Sequence, residues 1–143
     1  MRLRLGDALR IWRAIDADKL MEEHRLGIEQ LGRSIAEIRG LAAAAGARLV
    51  ILYVPTMEEV YLPLVAADSE FWGPTPKAKV LEKFGRLREV VTSRARPEEL
   101  LDLTEPLGEV ARRGETLYWI HDPHWNRRGN AAVAAIVANH LRH

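Results

Sequence analysis

The stretch ARLVILYV at residues 47–54 is a nearly continuous apolar run rich in branched side chains, and Pro55 ends it. The run is short and directly follows a segment with helical periodicity. These two properties favour a buried parallel strand over an alternating strand with one face in solvent. Because helices usually connect parallel strands and cover their sheet, the stretch predicts an α/β fold.

Helical periodicity is present on both sides of this strand. From about residue 16 to residue 45, apolar side chains recur at intervals of three and four, and Gly46 stands where a left-handed C-cap is expected. After the strand, the sequence predicts a helix at residues 77–93 and a shorter strand at residues 98–103. A helix at residues 105–113, stopped by Gly114, and a last helix from residue 127 onward, with Asn126 as its N-cap, follow.

This order predicts one domain over residues 1–143, with a parallel sheet flanked by helices. Only two strands are recognisable, however, and a two-stranded sheet buries little. The apolar faces of the helices would then be partly uncovered. We therefore expect further strands, either upstream of Met1 or in a partner chain, and the uncovered sheet edge would allow self-association.

Composition excludes several classes of protein. The chain has 143 residues, and its formal net charge of +1 argues against a nucleic-acid binder, which would carry a basic surplus. It has no apolar run of the roughly 20 residues that a membrane span needs. The absence of cysteine excludes disulfides, a thiolate nucleophile and cysteine-based metal sites. The first seven residues lack the apolar segment of a signal peptide, and the compartment remains open.

The segment from residue 55 to residue 76 contains five Pro and Gly residues and predicts an irregular excursion. It carries three aromatic residues that need an explanation: Tyr61, Phe71 and Trp72. They either line a binding groove or cover the core, and the sequence alone leaves both interpretations open.

Reactive side chains are concentrated at residues 118–130, between a helix and the last helix. Asp122 and His124 are two residues apart, so the carboxylate can lie beside the imidazole, fix its tautomer and stabilise its protonated form. A structural histidine that caps the last helix or packs under Trp125 explains the same spacing equally well. His121 would add a third ligand for a metal, but zinc sites usually draw ligands from more than one segment. We expect neither a metal nor a cofactor.

The block DPHWNRRGN at residues 122–130, followed by an alanine-rich helix, resembles the C-terminal block of SGNH (GDSL-type) hydrolases. It is most similar to the bacterial polysaccharide O-acetyltransferase-like domains of that family. Residues 46–56 resemble the family's penultimate strand and the Pro-Thr turn after it. The resemblance implies a partial, flavodoxin-like three-layer α/β fold, namely the C-terminal portion of an SGNH domain with the N-terminal strands absent.

The resemblance also implies roles for single residues. His124 would be the general base that takes a proton from a serine, and Asp122 would orient it through the other ring nitrogen. Trp125 and Asn126 match the family pattern, and we interpret them as packing and helix-capping residues. Gly129 is expected to allow close packing at the start of the last helix.

Two elements of the family pattern have no counterpart. The family's nucleophile follows a strand in a Gly-Asp-Ser turn, whereas Gly6-Asp7 precedes Ala8 and no strand precedes it. The only serines are Ser34, Ser69 and Ser93, outside any such context. The blocks that supply the family's oxyanion donors are also missing, so we expect the isolated chain to be inactive.

The leading hypothesis is the C-terminal part of a serine esterase or O-acyltransferase that acts on acyl esters, such as an acetylated carbohydrate. Its nucleophile and oxyanion hole would come from a region outside these residues, and the resemblance suggests polysaccharides of the cell envelope. The alternative is a non-catalytic module that binds a carbohydrate or a protein through the aromatic residues of the 55–76 segment.

Overall fold

The computed structural model describes residues 16–119 and 122–142. These residues form a mixed α/β chain with a short parallel sheet. The Gly6-Asp7 pair, His121 and the first residues of the chain lie outside the described part. The helices and strands, in chain order, are α1 (Ala17–Glu23), α2 (Arg25–Ala44), β1 (Ile51–Tyr53), α3 (Met57–Tyr61), α4 (Lys77–Thr92), β2 (Leu100–Asp102), α5 (Thr104–Arg112), β3 (Tyr118–Trp119), β4 (Asp122–Trp125) and α6 (Arg127–Arg142).

Strands β1 and β2 pair in parallel, with Ile51 opposite Leu100, as the apolar run predicts. The strand is three residues long rather than eight, and the prediction that it is buried is wrong. Leu52 is 38% exposed and Val54 is 54% exposed. The reason is that β1 has a strand on only one side within the described residues, so its other edge and part of its surface remain open.

The predicted long helix is divided at His24 into α1 and α2. Gly46 adopts a positive φ of 65° directly after α2, which confirms the predicted left-handed C-cap. Of the described residues of α2, Ile35 is the buried one, whereas Leu26 and Leu41 are more than 60% exposed. The apolar surface of this helix is therefore largely uncovered, as the small number of strands predicts.

The core lies between α3, α5 and the segment that leads into β3, where Leu62, Leu103, Leu107 and Leu117 are fully buried. The 55–76 segment is more regular than predicted, because the side chain of Thr56 and that of Glu59 form a capping box at the start of α3. Two short 3-10 turns follow, at Leu62–Leu64 and Glu70–Trp72.

The aromatic residues of this segment cover the core. Tyr61 is 6% exposed and Trp72 is 2% exposed, and Phe71 packs against the same cluster. The indole nitrogen of Trp72 donates a hydrogen bond to the Ala66 carbonyl at 2.7 Å. These rings therefore pack within or against the core.

Helix α2 is attached to the sheet by a partly buried ion pair. The Arg39 guanidinium donates to both carboxylate oxygens of Glu99, at 2.6 and 2.7 Å, directly before β2 begins. Glu99 is buried and also accepts from the backbone N–H of Arg96. The hydrogen bond from Arg39 is the main reason why the pKa of Glu99 lies below its ordinary value.

Replacing Glu99 with Gln is expected to lower the stability of the fold at neutral pH and to make it less sensitive to acid. A carboxyl whose pKa is lower in the folded state stabilises the fold above its ordinary pKa of 4.5, and this contribution is lost as the pH falls through the folded value. The thermal midpoints of the wild type and the variant should therefore converge below pH 4.5. A difference that stays constant across the acid range would contradict this assignment.

None of the helices in the described part of the chain has the length and apolar character that crossing a membrane requires.

Candidate Asp–His catalytic site

The reactive segment after α5 forms an antiparallel hairpin, which the sequence analysis missed. Strands β3 and β4 pair with Tyr118 opposite Trp125 and Trp119 opposite Asp122. The aromatic pair at the start of the segment is the signal that would have indicated a strand. This hairpin carries the Asp122 and His124 side chains.

Two tyrosines fix the hairpin to the rest of the fold. The Tyr118 hydroxyl donates to the Pro55 carbonyl at 2.9 Å, and the Tyr61 hydroxyl accepts from the Leu117 N–H at 2.7 Å. The two rings meet edge to face with their centroids 5.9 Å apart. Burial raises the pKa of Tyr118 to about 12, so its hydroxyl stays protonated and keeps donating. Because Pro55 follows β1, the hairpin lies at the carboxyl end of the parallel strands, where open α/β sheets bind ligands.

Replacing Tyr61 with Phe is expected to destabilise the protein by about 1–3 kcal/mol, because the buried N–H of Leu117 loses its acceptor. Tyr118→Phe should cost less, because the Pro55 carbonyl that loses its donor tolerates this better than an N–H group tolerates the loss of its acceptor. Urea unfolding of the two variants measures the difference. An equal or larger loss in Tyr118→Phe would contradict the role of Tyr61.

The start of α6 holds the other side of the hairpin. Asn126 Oδ1 accepts from the backbone N–H groups of Arg128 and Gly129 at 2.8 and 3.0 Å, which confirms the predicted N-cap. Its amide nitrogen donates to the Thr116 and Tyr118 carbonyls, so one side chain joins the helix start to β3. Trp125 packs against the core cluster, in agreement with its interpretation as a packing residue.

Gly129 allows the close approach that the sequence predicts. A Cβ atom at this position would lie 2.1 Å from the Leu117 carbonyl oxygen and 3.0 Å from the Trp125 Cβ. No side chain fits at such distances without movement of the backbone. The contact keeps α6 against the chain that enters β3, and with it the position of β4.

The structure brings Asp122 and His124 together. Asp122 Oδ1 is hydrogen-bonded to His124 Nδ1 and also accepts from the backbone N–H of His124 at 2.8 Å. The side chain of His124 is 82% exposed and that of Asp122 is 52% exposed. The two structural alternatives for His124 are therefore wrong, because Asn126 caps α6 and the imidazole is not packed under Trp125.

This geometry is suited to general base chemistry. A carboxylate bound to Nδ1 favours the tautomer in which Nδ1 carries the proton and Nε2 offers a lone pair. Within the described part of the chain, Nε2 of His124 has no hydrogen-bond partner. The carboxylate and the imidazole are exposed to water, however, and charges in water interact only weakly. Strong electrostatic stabilisation of a transition state requires a site from which water is excluded. The catalytic role of the pair stays a prediction.

The three serines lie elsewhere in the fold. The Ser34 hydroxyl accepts from Gln30 within α2, the Ser69 hydroxyl caps a 3-10 turn, and the Ser93 hydroxyl donates to the Val90 carbonyl after α4. None of them is hydrogen-bonded to His124. Among residues 16–119 and 122–142 there is also no group of three side chains that could hold a metal ion.

Comparison with known proteins identifies a family for this chain. Residues 15–143 match the family model described as the SGNH hydrolase-like domain of the acetyltransferase AlgX. No curated protein and no solved structure matches the chain. The family match extends over both parallel strands, the hairpin and α6. The chain therefore belongs to the family of SGNH hydrolase-like domains typified by the acetyltransferase AlgX.

Proposed function

We propose that this chain supplies the acid–base half of an acyl-transfer site, with Asp122 and His124 as two members of a catalytic triad. The observation that carries the proposal is the hydrogen bond between Asp122 Oδ1 and His124 Nδ1 on a ring whose surface is 82% exposed. The hairpin that holds the pair lies at the carboxyl end of the sheet, and the family acts in acyl transfer.

The reaction proceeds through a serine ester. His124 Nε2 removes the proton of a serine hydroxyl while the serine oxygen attacks the acyl carbonyl carbon. The imidazolium then gives this proton to the oxygen of the leaving alcohol, and the acyl group remains on serine. Water or a sugar hydroxyl next attacks the ester, and Nε2 takes its proton before returning it to the serine oxygen. Asp122 remains ionised throughout and stabilises the imidazolium.

The serine and the oxyanion donors belong to a region outside these 143 residues. No serine of this chain is hydrogen-bonded to the pair, and the isolated chain is therefore expected to be inactive. Strands that pair with the open edge of β1 would complete a flavodoxin-like three-layer fold and exclude water from His124. The same open edge would allow self-association when it is uncovered.

The proposed substrate is an acyl ester, with an acetylated carbohydrate as the natural example. Both hydrolysis and transfer use the same first step, and the acceptor that enters the site determines which follows. The competing hypothesis of a binding module depended on exposed aromatic residues in the 55–76 segment. Tyr61 and Trp72 are buried, which removes the observation that favoured it.

Replacing Asp122 with Asn tests the proposal in the protein at its full natural length. We expect turnover of p-nitrophenyl acetate to fall about 10⁴-fold, because the amide no longer selects the productive tautomer of His124. Asp68→Asn is the matched control, since Asp68 is an exposed aspartate on the 55–76 segment. Full activity of Asp122→Asn, with the fold intact by circular dichroism, would overturn the proposal.

A further inference from the structure

A half-open cavity of about 160 Å³ lies between α3, α4 and α5, and neither Asp122 nor His124 lines it. Its apolar walls include Val60, Leu81 and Phe84. An apolar cavity of about 150 Å³ holds a molecule of the size of benzene, so this cavity has room for one six-membered ring. None of its lining residues belongs to the β3–β4 hairpin.

Two glycines inside helices leave this space open. Gly85 of α4 and Gly108 of α5 both line the cavity. A Cβ at Gly85 would meet no atom within 4 Å, and a Cβ at Gly108 would meet only the end of the Arg112 side chain, at 3.9 Å. Each glycine costs a helix about 1 kcal/mol relative to alanine. Alanine would fit at both positions, as it would at Gly40 of α2, so the two glycines leave room beside the cavity that packing does not require.

Polar groups stand at the wall of the cavity near the carboxyl ends of the strands. Glu59 is buried and accepts from the Tyr53 hydroxyl at 2.7 Å and from the Thr56 N–H at 2.8 Å. A carboxylate has about four acceptor positions, so Glu59 retains capacity for a further donor. Thr104 also lines the cavity, and its buried hydroxyl has no partner within the part of the chain that the structure describes. Such groups occur where a protein interior is completed by another molecule.

The two guanidiniums at the cavity are both paired with carboxylates. The cavity lining contains two carboxylates, Glu59 and Glu105, and two guanidiniums, Arg88 and Arg112. Arg88 is paired with Asp102 at 2.8 Å, and Arg112 with Glu105 at 2.6 Å. Neither guanidinium therefore requires an anionic ligand. Among the described residues, Glu59 accepts only from the neutral Tyr53 hydroxyl and Thr56 N–H, so a hydroxyl of a neutral ligand suits it as a further donor.

We propose that this cavity binds a small neutral molecule that has one six-membered ring and a hydroxyl group, with the ring against Leu81 and Phe84 and the hydroxyl donating to Glu59. The position agrees with the general rule for open α/β sheets. Tyr53 ends β1 and bonds to Glu59, while Asp102 ends β2 and bonds to Arg88, so the cavity lies beside the carboxyl ends of both strands. Both an aromatic alcohol and a sugar have one six-membered ring and a hydroxyl group, so both classes of ligand satisfy the proposal.

Titration of the ¹⁵N-labelled full-length protein with phenol, toluene and methyl glucoside tests the proposal by NMR. We expect saturable shifts of the amides of α4 and α5 with phenol or methyl glucoside, at a dissociation constant on the order of 1 mM. If phenol binds more tightly than methyl glucoside, the natural ligand is an aromatic alcohol. If methyl glucoside binds more tightly, the natural ligand is a sugar. Toluene should bind at least about tenfold more weakly than the tighter-binding of these two ligands, because it has no hydroxyl for Glu59. Equal binding of toluene, or no saturable shift with any probe, would overturn the proposal.

Filling the cavity provides a second test that does not depend on the choice of probe. Gly108→Leu should weaken binding at least about tenfold, because its side chain occupies the space of the ring. Gly85→Leu serves the same purpose from α4 if Gly108→Leu does not fold. Gly40→Leu in α2, where a Cβ would also meet nothing within 4 Å, is the matched control. Unchanged binding in the filled variants would show that the ligand lies elsewhere and would overturn the proposal.

Discussion

Replacing His124 with Ala in the full-length protein should lower kcat for acetyl esters about 10⁶-fold, which is the size of effect seen when the base of a serine triad is removed. The loss follows from the proposed chemistry, because no other group would accept the serine proton and return it to the leaving alcohol. The side chain of His124 is 82% exposed, so its removal should leave the fold intact. Steady-state kinetics together with thermal unfolding separate the two effects.

His24→Ala is the matched control for this variant. His24 is also exposed and makes no side-chain hydrogen bond to the start of α2. We expect His24→Ala to retain full turnover. If His124→Ala kept its activity at an unchanged unfolding midpoint, His124 would not be the base. The hydrogen bond between Asp122 and His124 would then only stabilise the local structure of the hairpin.

Replacing Gly129 with Ala should destabilise the fold by about 3 kcal/mol or more, at the upper end of the range for overpacking. The new methyl group would lie 2.1 Å from the Leu117 carbonyl oxygen. That oxygen accepts the Asn126 N–H at 2.9 Å, so it cannot move away without loss of a hydrogen bond at the start of α6. A loss of this size is a large fraction of the stability of a small domain. Urea unfolding gives its magnitude.

Gly40→Ala is the control for the change of residue type. It lies inside α2 with no atom within 4 Å of a new Cβ, so the same substitution should stabilise the helix by about 0.5–1 kcal/mol. The opposite signs of the two effects would separate helix propensity from steric contact. Equal effects of the two variants would show that the close approach at Gly129 carries no cost.

Helices were more predictable from the sequence than strands, for a physical reason. The sequence predicts helix α4 at residues 77–93, and the structure has it at Lys77–Thr92. The prediction is accurate because helical periodicity depends on residues that are close together in the sequence. Strand β1 is much shorter than its apolar run, because its extent is set by the partner strand. The capping box of Thr56 and Glu59 was a local signal for α3 that the sequence analysis did not use.

The site was only partly predictable. The spacing of Asp122 and His124 allowed a catalytic pair, but it also allowed a structural histidine. The structure adds that the two side chains are in contact and exposed, and the catalytic role of the pair stays a prediction. The β3–β4 hairpin escaped prediction because its anchors join distant residues. Tyr118 bonds to Pro55, 63 residues away, and Tyr61 bonds to Leu117, 56 residues away. Such contacts leave no periodic pattern in the sequence.

One oxygen of Asp122 contacts both the backbone N–H and the ring Nδ1 of His124, within a segment of three residues. The imidazole is therefore oriented by a neighbouring residue, without help from distant parts of the chain. This contact restricts the orientation of the imidazole before a nucleophile arrives. In the proposed mechanism, a base oriented in this way would lower the entropic part of the activation barrier.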